Sequence, residues 1–311
     1  MDAQEGIVLA AVDIGTNTLK FSAARCFADG GIETIEERND AVRIGAGIEK
    51  TGQIDPERLE RAVSTLIAFE QLGRDLGARR FVGVATEALR VASNGRDLLD
   101  RIASETAWEI RTIAGEEEAR LTFLGLQDYL PEGGRAAIVD IGGGSMEIIA
   151  ASAGAVEEAF SIPIGSGRVA DRWFHADPPG SESVRAAEDD AQAFLTERAS
   201  ILDGRGGALL LSGGNGQFIE GLRQYYRIGD PLGIGTIAQI LTRLAGEPAD
   251  VVAAALSIQH ERATVLPAGV AIALAAAKAI GPKTVDAVPS GIRTGLLRDL
   301  IAREGFASLG A

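Results

Sequence analysis

The chain has one cysteine and two histidines in 311 residues, and each scarcity removes a class of chemistry. A lone Cys26 excludes an intrachain disulfide and a cysteine-built zinc site; it follows an apolar run and reads as a small core residue. His175 and His260 are too few for a multi-histidine metal centre. Positive charge is short as well: 30 Lys and Arg against 44 Asp and Glu leave a formal net charge of −14. Without a bulk positive field, nonspecific binding to nucleic acid is disfavoured, and an anionic substrate would need cations gathered locally. The start, MDAQEGIVLAAVDIG, lacks the basic region of a secretory signal. The alanine-rich stretch 263–280 contains Pro267 and Lys278 and reads as too short and too weakly apolar to span a bilayer. A cytoplasmic protein without nucleic-acid or membrane partners is expected. Hydrophobic content of 46 % and charged content of 24 % are ordinary for a globular protein. At this length two domains, each with its own core, are expected.

Against that background one stretch stands out, AAIVDIGGGSMEII at 136–149. Apolar, β-branched residues flank a glycine run, which reads as strand, tight turn, strand, with glycines where φ > 0 or close backbone approach is needed. Backbone N–H groups of such a turn suit an anion. The carboxylates on either side, Asp140 and Glu147, suit a divalent metal or an activated water. The same pattern occurs earlier. AVDIGTNTLKF at 11–21 aligns with 138–148, placing Asp13 on Asp140, Gly15 on Gly142, Thr16 and Asn17 on Gly143 and Gly144, Thr18 on Ser145 and Lys20 on Glu147. The offset, 140 − 13 = 127 residues, is the size of a domain rather than a solenoid repeat. Two similar α/β domains presenting phosphate loops to a shared cleft would account for it, with boundaries expected at 1–127 and 128–311.

The remaining chain supports that organisation. DPERLERAV opens a helix over 55–76 with Asp as N-cap and Pro at its first position. FVGVAT (81–86) reads as a buried strand, 87–106 as a helix broken near Asn94–Gly95, and 108–113 as an edge strand. Helix 114–130 has an acidic first turn, as the helix dipole favours; Glu116 and Glu117 read there as solvated acids. After 136–149, a strand and a turn at 165–167 lead to a helix, helix 182–201 follows, then strand 207–212 and a Gly-rich turn at 213–216. Helices at 217–226, 235–246 and 247–280, broken at Pro248 and Pro267, precede a strand and turn at 284–291 and helix 292–304. Trp108 and Trp173 read as packing residues, and Arg168 and Arg262 as cleft cations or structural ion-pair partners.

Several of these stretches together resemble the exopolyphosphatase / guanosine pentaphosphate phosphatase family. They are AVDIGTNTLKF, ATEALRVASNG (85–95), AGEEEARLTFLG (114–125), VDIGGGSMEI (139–148), SIPIGSGRV (161–169) and the ER…LPAGVAI segment (261–272). The resemblance spans essentially the whole chain, in the short two-domain form without the extra C-terminal domains of longer relatives. It implies two ribonuclease-H-like domains of the actin-like ATPase superfamily, with mixed sheets flanking a central cleft. It also implies metal-dependent hydrolysis of terminal phosphoanhydride bonds with Mg²⁺ or Mn²⁺. Glu118 would activate the attacking water. Arg90, with its planar fork of donors, would bind the terminal phosphate. Asp140 and Glu147 would hold the metal, with Asp13 either binding a second metal or bracing its loop. Thr16, Asn17, Thr18, Lys20, Gly142, Gly143, Gly144 and Ser145 would cradle phosphates. The implied substrate is inorganic polyphosphate, with guanosine pentaphosphate as the alternative, or a ligand sensed without turnover; a homodimer is implied by analogy. Two positions depart from the family pattern. Met146 stands where Thr is usual, removing a hydroxyl expected beside the metal, and Lys20 stands where Arg is common. The turn 212–216 falls where the superfamily places its adenosine-contacting loop, and reads here as a strand-to-helix turn.

Overall fold

In the computed structural model, residues 6–132, 134–152, 154–196 and 207–309 are described. Ten strands form two five-stranded sheets. They are β1 (Ile7–Ile14), β2 (Leu19–Cys26), β3 (Ile32–Asp40), β4 (Phe81–Ala85), β5 (Glu109–Thr112), β6 (Arg135–Ile141), β7 (Met146–Ser152), β8 (Ala155–Ile162), β9 (Ala208–Ser212) and β10 (Thr284–Ala287). The first sheet has the order β3-β2-β1-β4-β5, the second β10-β9-β6-β7-β8. Read from the opposite edge, the second order is that of the first, strand for strand. In each sheet a three-strand antiparallel meander is extended by two parallel strands. The 127-residue repeat is therefore a repeat of topology, and the α/β class with mixed sheets is as expected.

Contacts divide the chain into one unit of Met1–Gly125 with Gly291–Ala311 and a second of Leu126–Ser290. The first break falls close to the expected boundary at 127/128, and Gly291–Ala311 groups with the first unit. The reason lies in the two faces of the first sheet. Strand alternation sends Ala10, Val12 and Ile14 of β1 to one face, beneath Val63 and Leu66 of helix Pro56–Asp75 and Leu98 of helix Gly95–Glu105. Ile7, Leu9 and Ala11 go to the other, which needs its own cover. Leu121 and, from helix Ile292–Glu304, Ile292, Leu296, Leu297 and Leu300 provide it. Helices Gly115–Leu126 and Ile292–Glu304 touch through glycine: a Cβ on Gly295 would lie 1.7 Å from the Leu121 carbonyl oxygen, and one on Gly125 2.0 Å from that of Gly291.

Local signals behave as their chemistry dictates. Asp55 caps helix Pro56–Asp75, its Oδ1 accepting from the N–H groups of Glu57 and Arg58 at 3.0 and 3.2 Å. The break between Glu87–Val91 and Gly95–Glu105 is held by Asn94, whose amide bonds the backbone of Ile54 in both directions. Cys26 is buried, its thiol pushed up to about 12 by desolvation. Trp108 packs edge-on against Phe21 and Phe81.

The second unit is organised around helix Leu266–Ile280, apolar on all sides and buried along nearly its whole length. Contrary to the expectation that 263–280 is too short and too weakly apolar, the run His260–Ile280 is long and apolar enough by composition to cross a membrane, and 83 % of its apolar 18-residue window is buried. Residues 213–216 differ from expectation: they are not a turn but the first turn of helix Gly213–Tyr225. Gly213 supplies the left-handed residue (φ 66°) from which the helix starts directly off β9. Helix Gly180–Thr196 matches the expected 182–201 as far as 196; the remainder lies outside the described residues.

Candidate active site

Both hairpin turns form at the carboxyl ends of the inner strands, where open α/β sheets place their ligands. In the first unit Asp13 stands opposite Lys20, with the ammonium 3.3 Å from Asp13 Oδ2. The Gly15 N–H closes the turn onto the Thr18 carbonyl at 3.2 Å. The carbonyls of Thr16 and Asn17 accept from the N–H groups of Gly45 and Arg43 at 2.9 and 2.8 Å, so the turn is tied to the segment that follows β3. Thr86, just past β4, donates its N–H to the Ile14 carbonyl at 3.2 Å. Arg90 and Glu118 come together from different helices. Arg90 Nη1 lies 3.6 Å from Glu118 Oε2 and donates to the Ile113 carbonyl at 2.6 Å. Glu118 is a buried carboxylate, 9 % exposed, in the first turn of helix Gly115–Leu126.

Glu117, expected to be a solvated acid, is instead clamped. It accepts from Arg120 Nε at 2.7 Å and from Arg111 Nη2 at 2.8 Å. Arg120 continues to buried Asp299 at 2.8 Å. These cations, Arg120 foremost, hold the Glu117 carboxyl down at about 2. Asp299 comes from the C-terminal helix, so this brace is invisible in the local sequence around Glu118.

The second unit repeats the frame with different charges. Asp140 and Glu147 stand directly opposite one another, as Asp13 and Lys20 do. The Gly142 N–H closes the turn onto the Ser145 carbonyl at 2.9 Å. Gly142 and Gly143 carbonyls are held by the N–H groups of Ser166 and Gly167 at 2.9 and 2.8 Å, and Arg168 N–H also donates to Gly143 at 3.1 Å. None of Gly142, Gly143 and Gly144 has positive φ. Close approach is required of Gly165, which packs against the run: a Cβ on Gly165 would lie 2.4 Å from the Gly143 carbonyl carbon. Two positions outside the glycine motif complete the arrangement. Ser161 on β8 donates its hydroxyl to Glu147 Oε1 at 2.6 Å, and Asn215 donates its amide to the Ile141 carbonyl. Their placement follows from register, which no single stretch of sequence displays. Arg262 stacks over Phe218, 4.4 Å from the ring centroid, and Arg168 donates to the Pro163 carbonyl at 2.8 Å.

Met146 does not border the carboxylates. It is fully buried among Ile141, Ile148 and Ile162 in the second unit's core, because alternation sends it to the face opposite Glu147. Its counterpart in the first repeat is Leu19, also fully buried. The expected loss of a hydroxyl beside the metal is thus a packing difference.

The residues present fit a divalent cation. Carboxylates directly opposite on neighbouring strands have Cβ atoms about 5 Å apart and repel unless a cation lies with them. Buried Ser212, beside Asp140 in register, has an Oγ that meets no hydrogen-bond partner among the described residues. Asp140 Oδ1 lies so near Gly213 that a Cβ there would approach it to 2.9 Å. Among the described residues no group of three or more His, Cys, Asp or Glu gathers into a ligand cage. Two carboxylates with the remaining positions left to water and phosphate oxygens is a set that suits Mg²⁺.

The model of the Ppx/GppA phosphatase family matches residues 26–304. The chain belongs to that family. Its members' folds agree with the doubled sheet: a crystal structure of the Aquifex aeolicus family member is 26 % identical, covering 96 % of this chain and 99 % of that one, with a TM-score of 0.75. An exopolyphosphatase structure from Cytophaga hutchinsonii, 23 % identical, superposes with a TM-score of 0.85 over 95 % of this chain and 98 % of that one. Among curated proteins, Exopolyphosphatase 1 of Mycobacterium leprae is 27 % identical over 299 residues, 93 % of this chain and 88 % of its own length. Exopolyphosphatase 1 of Mycobacterium tuberculosis is 28 % identical over 302 residues, 93 % and 87 %. This Ppx/GppA chain is accordingly a hydrolase acting on phosphoric anhydrides, with the actin-like ATPase fold.

Proposed function

We propose that this enzyme releases orthophosphate from the ends of inorganic polyphosphate, using a divalent cation, Mg²⁺ or Mn²⁺, held by Asp140 and Glu147. The observation that carries the reading is the buried Glu118 carboxylate with Arg90 3.6 Å away. It joins a proton acceptor to a cation suited to phosphate at one place, and relatives similar over 93 % of this chain are named exopolyphosphatases. When bound, the cation supplies charge neutralisation on phosphate oxygens. The protein's own groups do the rest. Glu118 accepts the proton of the attacking water as its oxygen bonds to the terminal phosphorus. The bridging P–O bond then breaks, and the shortened polyphosphate departs with the electron pair. Arg90 binds the equatorial oxygens as their charge grows, its backbone tether to Ile113 keeping the guanidinium oriented. Ser161 orients Glu147 through its hydroxyl. In each unit the hairpin turn, Thr16–Thr18 with Lys20 in the first and Gly142–Ser145 in the second, suits phosphate oxygens.

Orthophosphate release with Mg²⁺ should be measured from long polyphosphate, short polyphosphate and guanosine pentaphosphate in parallel, for the wild type and for Glu118→Gln. Release from polyphosphates, lowered at least a hundredfold by the substitution, is expected. Preference for the nucleotide would move the substrate assignment. Undiminished release by Glu118→Gln would remove that residue from the mechanism.

A further inference from the structure

Comparing the two hairpins at equal positions exposes a difference in charge that the shared backbone does not require. Both turns close with the same hydrogen bond, Gly15 to Thr18 and Gly142 to Ser145. In both, the aspartate near the end of the inner strand faces the residue 127 positions from its counterpart, Lys20 in one and Glu147 in the other. One aspartate thus faces an ammonium and the other a carboxylate. We propose that this chain binds a single divalent cation, in its second unit, and that Lys20 is a built-in substitute for the second one. The inference rests on reading Asp140 and Glu147 as cation ligands, and goes beyond it by assigning Asp13 a different role.

The physical case is electrostatic. Asp140 and Glu147 bring a formal charge of −2 to adjacent positions on one face of a sheet, which a divalent cation balances. Asp13 and Lys20 bring a formal charge of zero, with the ammonium 3.3 Å from Oδ2. Lys is a compact point charge with three donors and no lone pair when protonated. It occupies the place of a cation and cannot ligate one. The other oxygen, Asp13 Oδ1, is buried and meets no hydrogen-bond partner among the described residues. With the pair neutral, that oxygen is suited to accept a hydrogen bond from water or substrate. The neighbouring strand repeats the register of the second unit as well. Asn39 stands opposite Lys20 on the neighbouring strand, as Ser161 stands opposite Glu147, so a donor is in place to hold a carboxylate at position 20.

The test counts bound Mn²⁺ per chain by titration calorimetry and by its paramagnetic resonance signal, on metal-free protein without substrate. The wild type should bind one ion, Lys20→Glu two, Glu147→Lys none, and Asp13→Asn one. Circular dichroism checks that each variant folds. Two ions in the wild type, falling to one in Asp13→Asn, would overturn the inference while leaving the reading of Asp140 and Glu147 intact. So would a folded Lys20→Glu that still binds one. If Lys20→Glu does not fold, the wild-type and Asp13→Asn counts decide between the same alternatives. No ion in the wild type would overturn both the inference and the cation reading beneath it.

Discussion

Replacing Glu117 by Gln removes a charge whose environment is known in detail. The carboxylate is held from 4.5 down to about 2, first by the hydrogen bond from Arg120 and then by that from Arg111. At about 1.36 kcal/mol per pH unit the displacement sets a ceiling of roughly 3 kcal/mol on what ionised Glu117 contributes. The Arg111 and Arg120 side chains are 39 % and 44 % exposed, so solvent screens much of this. About 1–2 kcal/mol at pH 7 is the expected loss. The pH dependence has a definite sign. The folded value lies below the unfolded one, so the contribution is fully present above 4.5 and is lost as pH falls towards 2. Urea unfolding followed by Trp108 fluorescence, in a Trp173→Phe background, reports the first unit alone, since the chain has two tryptophans. Glu117→Gln should lower the midpoint by about 0.5–1 M at pH 7, and the gap should shrink by more than half at pH 3. A gap of equal size at both pH values would refute the electrostatic account and leave packing as the cause.

Three further outcomes follow from single positions. Gly295→Ala puts a Cβ 1.7 Å from the Leu121 carbonyl oxygen; the helices must part, and a loss of about 3 kcal/mol or more is expected in the same unfolding assay. Met146→Thr places a hydroxyl in a fully buried apolar site, so thermal unfolding should show a loss of about 2–3 kcal/mol, while Mn²⁺ affinity stays within about twofold; a large change in affinity would return Met146 to the site. Ser161→Ala deletes the 2.6 Å bond to Glu147 and should weaken Mn²⁺ binding by about tenfold or more in calorimetry; unchanged affinity would mean that Glu147 needs no orientation from β8.

Much of the frame was legible because local and periodic signals encode it. The 127-residue repeat predicted two similar sheets, and Asp55, Pro56 and Gly95 marked helix ends through their own backbone chemistry. The order of parallel strands was not legible, nor was the exchange of the C-terminal helix into the first unit. Nothing within 292–304 names its partner, although Gly125 and Gly295, unusual inside helices, were the signal of a close crossing. Residues 213–216 read as a turn because glycines break helices on average, whereas here Gly213 starts one.

By itself the sequence singled out the candidate residues: Glu118, Arg90, Asp140 and Glu147 sit in short motifs that fall at helix starts and strand ends. With a single cysteine and two histidines, it also left carboxylates as the candidate ligands for the proposed cation. Only the tertiary structure decided which groups neighbour them. Strand register set Lys20 against Asp13, Glu147 against Asp140 and Ser161 beside Glu147. Pleat alternation turned Met146 into the core, and packing of the last helix carried Asp299 to Arg120 across 179 residues. Pairing across strands and helices depends on how whole faces bury their apolar area, and that information is distributed over the chain rather than written at any one position.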